Sequence, residues 1–274
     1  MTDQDPPPPV PLPPPIVPGI ELNLEPPPAL PAPRTRIWLR RDVIEMFVVF
    51  VIAVMPPLLD GLVYYATTAP PGGEYFRDPL LHLRLVQRSI IVSVPVLYLM
   101  WRSRMGWVFF GLGDRPRVLD ALIGVGVLLF DYAIWYAIQF EMRWVLAWQP
   151  VALAPRPPVL PIAGGVMASV SPAHGLWWIG PMVLGAAFNG FAEEIVMRAY
   201  FIPRLERAMK STLWAVALTS LAFGAYHLYQ GVWAALFGVI TGVILGFVFV
   251  QTRRLWPVFF AHMLMDIAPF LLGA

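Results

Sequence analysis

The chain has 274 residues, of which 58% are hydrophobic and only 13% charged, and its mean hydropathy is +0.66. A soluble domain carries about 25% charged residues, so this composition argues against an ordinary water-soluble fold and points to a membrane protein. There is no cysteine, which excludes a disulfide scaffold, a thiol nucleophile and any thiolate metal site, and the net charge of +2 says little as a total because the arginines are clustered.

Residues 1–36 hold fourteen prolines, in runs such as "PPPPVPLPPP". Such a segment lacks helical N–H donors and apolar periodicity, and reads as a disordered, partly polyproline II tail. Its PxxP spacing suits an SH3-like protein partner, although a solvated spacer is the plainer reading. No basic segment followed by a short apolar core precedes the first span, so no cleavable signal peptide is expected and that span serves as the targeting signal.

Seven apolar segments follow, at roughly 43–66, 85–101, 118–140, 176–201, 212–229, 232–250 and 255–272. Several reach the ~20 residues needed to cross the hydrocarbon core. Pro56–Pro57 should kink the first, and the second is short and contains Pro95. The expected fold is an all-α, polytopic transmembrane bundle of about seven spans. Its divisions are a cytoplasmic tail (1–36), three transmembrane helices (37–148), an extracytoplasmic linker (149–175) and a core (176–274) carrying the polar motifs. Arginine clusters before the first span and after the second, fourth and sixth alternate with loops poor in net positive charge. By the positive-inside rule the N-terminus is cytoplasmic and the C-terminus outside, in the cell membrane.

In the sixth span Gly238, Gly242 and Gly246 form a doubled GxxxG, which signals close helix packing. No internal repeat or inverted pair of broken helices supports a transporter.

Three polar clusters interrupt the last four spans: Glu193–Glu194 with Arg198, His227, and His262 with Asp266. Each charge costs roughly 2.5–3.5 kcal/mol at the centre of a spanning helix, so each needs a reason. Glu194 and Arg198 are four apart, as are His262 and Asp266, so each pair shares a helix face. Glu193 and His227 each lie seventeen residues from Lys210, or roughly 25 Å along a helix, and His262 lies eight residues, roughly 12 Å, beyond Arg254. These depths agree if the charged 204–211 hairpin projects about 10 Å beyond the membrane. Taken singly, the clusters read as a neutralised bridge, a packing histidine and a helix clamp. Together, at matching depth, they read as a site. Glu45, four residues after Arg41, reads as an interfacial ion pair. Asp131 is mid-span without an obvious partner, is read as protonated or bonded to a neighbouring helix, and is not assigned to catalysis.

A glutamate beside an imidazole can take a proton from water for attack on a carbonyl, and the resulting oxyanion needs donors. Glu193 with His227 suits the first task. His262, oriented by Asp266, suits the second, with Arg198 holding Glu194.

The motifs "EEIVMR" (193–198), "FGAYH" (223–227) and "HMLMD" (262–266) resemble the EExxxR, FxxxH and HxxxN/D motifs of the CPBP intramembrane glutamic endopeptidases. This is the CAAX-protease and bacteriocin-processing group, also called the Abi family. "FGLGDRPRVLDALIG" (110–124) resembles the segment that precedes the family's core, so the likeness covers roughly 105–272 and is strongest in 185–270. It implies an intramembrane endopeptidase in which Glu193 and His227 activate water, Glu194 and Arg198 support the site, and His262 with residue 266 forms the oxyanion site. An asparagine at 266 would donate to the oxyanion; an ionised Asp266 cannot, so orienting His262 is the role assigned to it. The implied partners are a peptide or membrane-protein substrate and the lipid bilayer, with no nucleic acid. No cofactor is expected: two histidines and three carboxylates are plausible zinc or manganese ligands, but the HExxH spacing is missing and an arginine within the cluster repels a dication. The competing reading is a non-catalytic membrane scaffold or bacteriocin-immunity factor that uses the same cluster to bind a partner.

Overall fold

The computed structural model describes residues 36–67, 79–147 and 179–272. The proline-rich tail and the 149–175 linker, with the roles expected of them, lie outside the described residues. All regular elements among the described residues are helical. They are α1 (Arg36–Ala53), α2 (Met55–Thr67), α3 (Pro79–Arg102), α4 (Val118–Ala147), α5 (Ile179–Glu194), α6 (Ile202–Met209), α7 (Thr212–Tyr226), α8 (Val232–Thr252) and α9 (Leu255–Leu272). Short 3-10 turns occupy Trp107–Phe110 and His227–Gln230, and a π-helical stretch, Ile195–Phe201, joins α5 to α6.

Among the described residues, three helices are long and apolar enough to cross a bilayer alone: His82–Arg102 of α3, Val118–Glu141 of α4, and α8. Helices α1 and α2, bent by 44° at Val54, make a fourth if they form one broken span. Pro56 and Pro57 sit in the first turn of α2, where a missing N–H has no intrahelical acceptor to lose, so the break falls just before them. Pro95, in contrast, is carried inside an unbroken 24-residue α3. Large apolar side chains such as Phe47, Ile91, Leu122, Leu129 and Leu221 face outward, as a lipid-facing surface requires.

Small residues set the closest packing. A methyl group at Gly238 would stand 3.0 Å from the Gly224 Cα, one at Gly242 2.9 Å from the Ser220 Cα, and one at Gly246 2.9 Å from Val216. The glycine ladder of α8 therefore lies against the 216–220–224 face of α7, where Ser220 turns its hydroxyl back to the Val216 carbonyl at 2.7 Å. Lacking a hydrophobic drive between helices in lipid, this pair gains its stability from close dispersion contact. Gly190 does the same for α5 and α9: a methyl there would meet the Met263 amide nitrogen at 3.2 Å.

One end of the bundle is tied by ion pairs. Arg254, in the α8–α9 turn, holds Asp120 at 2.7 Å and also Asp114, and its bond to Asp120 raises its already high pKa. Arg253 binds Glu206 at 2.6 Å. Glu45 accepts from Arg41 at 2.9 Å and from Arg102 at 2.8 Å, so the ion pair expected within α1 is present and extends to α3. The 204–211 hairpin differs from expectation in one respect. Arg204 is buried rather than projecting, because its guanidinium stacks 3.9 Å from the Tyr200 ring and 5.0 Å from the Phe110 ring.

Candidate active site

Helix α5 delivers Glu193 and Glu194 at its last two positions, immediately before the π-helical stretch. A π turn carries an extra residue and re-aims the side chains around it, a feature frequent at functional sites. Glu194 is wholly buried and its Oε1 accepts from Arg198 Nη1 at 2.8 Å, so the i,i+4 relation survives the change of helix type. The Arg198 guanidinium lies 4.4 Å over the Phe223 ring of α7.

Gly190 lets α9 approach where these carboxylates emerge. His262 of α9 consequently sits between them: Nδ1 is 2.7 Å from Glu194 Oε1 and Nε2 is 3.3 Å from Glu193 Oε2. Asp266, one turn further along α9, stands 3.8 Å from His262 Nε2 and accepts from the Asn189 amide at 3.1 Å. The carboxylate bonded to His262 Nδ1 is thus that of Glu194, and Asp266 is the more distant neighbour. The geometry gives Glu194 the orienting place that spacing alone assigned to Asp266.

His227 ends α7, and its Nδ1 lies 2.7 Å from the Phe223 carbonyl oxygen. A carbonyl only accepts, so Nδ1 carries the proton and, in the neutral ring, Nε2 holds the lone pair. The Phe223 ring meets the His227 ring with centroids 4.6 Å apart and the His262 ring at 5.7 Å, nearly perpendicular. Behind His227, Gly238 leaves the needed room: a methyl there would stand 3.3 Å from Nδ1. The six residues expected from sequence are therefore connected, with Arg198, His227 and His262 against the Phe223 ring and Glu193, Glu194 and Asp266 around His262.

Further members did not stand out in the sequence. Asn189 is neutral and so carried no charge penalty to flag it. Arg88 of α3 and Tyr229 of the second 3-10 turn lie within electrostatic reach of Glu193, and Arg88 also of His227. Asp131, fully buried in α4, accepts from the Thr241 hydroxyl of α8 at 3.0 Å, which supplies the partner that was missing from the chain pattern. Among the described residues, no three or more His, Asp or Glu side chains are arranged to hold a metal ion.

The order of these residues along the chain has a counterpart among known proteins. Residues 175–268 match the family model described as type II CAAX prenyl endopeptidase Rce1-like. This segment belongs to the CPBP/CAAX protease family. The Rce1-like segment contains Asn189, Glu193, Glu194, Arg198, Phe223, His227, His262 and Asp266, so every group in the cluster proper falls inside it. Arg88 and Asp131 fall outside. The family is one of hydrolases that cleave peptide bonds, and together with the apolar helices it fits a multi-pass membrane protein. No curated protein and no solved structure matches the chain.

Proposed function

We propose that the chain is an intramembrane endopeptidase of the glutamic type, hydrolysing a peptide bond in a peptide or membrane protein near the cytoplasmic face. The observation that carries this reading is His262 held between two glutamates, at 2.7 and 3.3 Å, with His227 on the same Phe223 ring. Glu193 Oε2 and Glu194 Oε2 both lack a hydrogen bond among the described residues, but Glu194 is wholly buried and its Oε1 is held by Arg198 and His262, whereas the Glu193 side chain is 15% exposed. Glu193 is thus the carboxylate that a water can reach and that can take its proton. His227, with Nδ1 committed to a carbonyl, offers Nε2 as the second acceptor on that water. Attack on the scissile carbonyl produces an oxyanion.

Oxyanion donors come from α9 and α5. His262 commits Nδ1 to Glu194, and its Nε2, near Glu193 Oε2 but without a hydrogen bond to it, is the ring nitrogen left to donate to the oxyanion. Asn189 uses one amide hydrogen on Asp266 and retains a second. Because an ionised carboxylate cannot donate, Asp266 is assigned to fixing Asn189 and the amide to meeting the oxyanion. Collapse of the intermediate passes the proton held by Glu193 to the leaving amine.

The reading takes α1–α2, α3, α4, α5 with its π stretch and α6, α7, α8 and α9 as seven crossings. Arg41, Arg102, Arg204, Arg253 and Arg254 gather at one end through Glu45, Glu206, Asp114 and Asp120, which supports taking that end as the cytoplasmic one. Arg204 is level with Arg102, the last residue of the α3 span, and Glu193 lies eleven residues before it, roughly 16 Å deeper. His262 is roughly 12 Å above Arg254 by the same rise. Both depths fall within or at the edge of the nearer half of a ~30 Å hydrocarbon core.

The test is comparison of membrane-associated peptides in cells carrying wild-type protein and Glu193→Gln, followed by cleavage of the peptides found with purified enzyme. Accumulation of an uncleaved substrate in the variant is expected. A Glu193→Gln protein that complements a deletion fully would replace the protease by the scaffold reading.

A further inference from the structure

The second buried charge cluster lies at the arginine-rich end, and its hydrogen-bond inventory does not close. Glu45 Oε1 already accepts from Arg41 and Arg102. Its Oε2 is 3.9 Å from Arg204 Nη2, beyond hydrogen-bond length. Arg204 is 2% exposed, yet Nε, Nη1 and Nη2 all lack a hydrogen-bond partner among the described residues. Arg207, electrostatically coupled to Arg204, donates to the Met105 thioether at 3.3 Å, a weak acceptor. Among the described residues, Arg204 is thus left short of acceptor oxygens although Glu45 and Asp42 lie within its electrostatic reach.

The level of the cluster identifies the missing acceptor. Arg102 is the last residue of the α3 span and Arg41 the first of the α1–α2 pair, and both meet at Glu45. Their side chains are each 42% exposed, so the cluster opens outward at the depth of lipid headgroups while Arg204 forms its floor. Stacking between Tyr200 and Phe110 fixes that floor in advance of any ligand. Guanidinium forks match phosphate oxygens in geometry and charge, and basic pockets between spans at the membrane face suit anionic headgroups. We propose that Arg41, Arg102, Arg204 and Arg207 form a binding site for the phosphate group of an anionic phospholipid. The bound lipid bridges the ends of α1 and α3 to α6, the helix that continues the π stretch from the Glu194–Arg198 pair.

The full chain, purified in detergent, is titrated with phosphatidylglycerol, phosphatidylcholine and inorganic phosphate. Bound adducts are read by native mass spectrometry and the unfolding temperature is followed alongside. Phosphatidylglycerol is expected to stay bound and raise the unfolding temperature, with phosphatidylcholine weaker. Arg102→Gln and Arg207→Gln are each expected to weaken phosphatidylglycerol about fivefold, and Arg207→Glu to weaken it further. Lys210→Gln, an exposed charge on the same hairpin, should leave binding unchanged. Arg204→Gln tests the floor where that protein folds; the two more exposed variants carry the test where it does not. Equal retention of both lipids, wild-type binding by Arg102→Gln and Arg207→Gln, or an equal loss in Lys210→Gln overturns the site. An unfolding shift reproduced in full by inorganic phosphate overturns the lipid as its occupant.

Discussion

The two buried charge clusters sit on one continuous stretch of helix, Glu194 through Arg204, and are unbalanced in opposite senses. Around His262, three carboxylates meet one guanidinium and an imidazole, and Glu193 and Glu194 each keep an oxygen without a hydrogen bond against one such nitrogen on Arg198. Beside Glu45, Arg204 keeps three nitrogens without a hydrogen bond among the described residues. In an apolar setting each such group carries a desolvation cost that a protein built only for stability would remove. The sign of the surplus therefore indicates the missing chemistry: spare acceptors suit proton abstraction, spare donors suit anion capture.

The sharpest way to break the contrast is to remove the spare acceptor. Glu193→Gln keeps the shape of the side chain and abolishes its basicity, and a drop in peptide cleavage of about 10²–10⁴-fold is expected without loss of folded protein. Loss of the folded protein as well would mean that Glu193 is a structural partner of His262 and no more.

Removing a partner that is already committed should read differently. Arg198→Met leaves Glu194 buried without its cation, and a stability loss of about 3–5 kcal/mol is expected, measured by unfolding in detergent. The companion Glu194→Gln should lose less, since the amide still meets Arg198. If Arg198→Met costs stability no more than an exposed substitution such as Lys210→Gln, the pair is not the buried bridge its geometry describes.

Much of this was legible in the chain because charge is conspicuous in a hydrophobic run. Glu194–Arg198, Arg41–Glu45 and the α7–α8 glycine contact all follow helical periodicity and needed only a count of four. Longer-range choices were not available from spacing. Nothing in the sequence says that His262 Nδ1 takes Glu194 rather than Asp266, since that depends on how closely α9 crosses α5 at Gly190. Arg204 resembled a hairpin surface charge because its shelter is built from Phe110, a residue in a turn more than ninety positions earlier. Neutral polar groups such as Asn189 and Thr241 hid for the opposite reason: they carry little penalty in a helix, so their presence marks nothing until a partner is seen.

The Asn189–Asp266 pair offers a test that exchanges donor and acceptor without changing the atoms present. Asn189→Asp alone places two carboxylates 3.1 Å apart where one bond stood, and cleavage is expected to fall about 10²–10³-fold. Asp266→Asn alone supplies a donor from α9 and should fall less. The double variant, Asn189→Asp with Asp266→Asn, restores one amide and one carboxylate, and recovery to within about tenfold of wild type is expected if the oxyanion needs an amide near α9. Absence of any recovery relative to Asn189→Asp would place the requirement on the position of Asn189 itself.

The smallest effect is expected at Asp131. It is as buried as Glu194 and reaches His262 electrostatically, yet its oxygens are engaged by the Thr241 hydroxyl at 3.0 and 3.2 Å, and it lies outside the family-matched segment. By the logic of surplus, a satisfied carboxylate has no chemistry left to perform. Asp131→Asn, whose amide oxygen still accepts from Thr241, should therefore cost about 1 kcal/mol of stability and change cleavage by less than tenfold. Thr241→Val removes the donor, leaves Asp131 unsatisfied in the core, and should cost more, about 1–3 kcal/mol. A cleavage loss in Asp131→Asn as deep as that of Glu193→Gln would show that Asp131 belongs to the reacting groups as well.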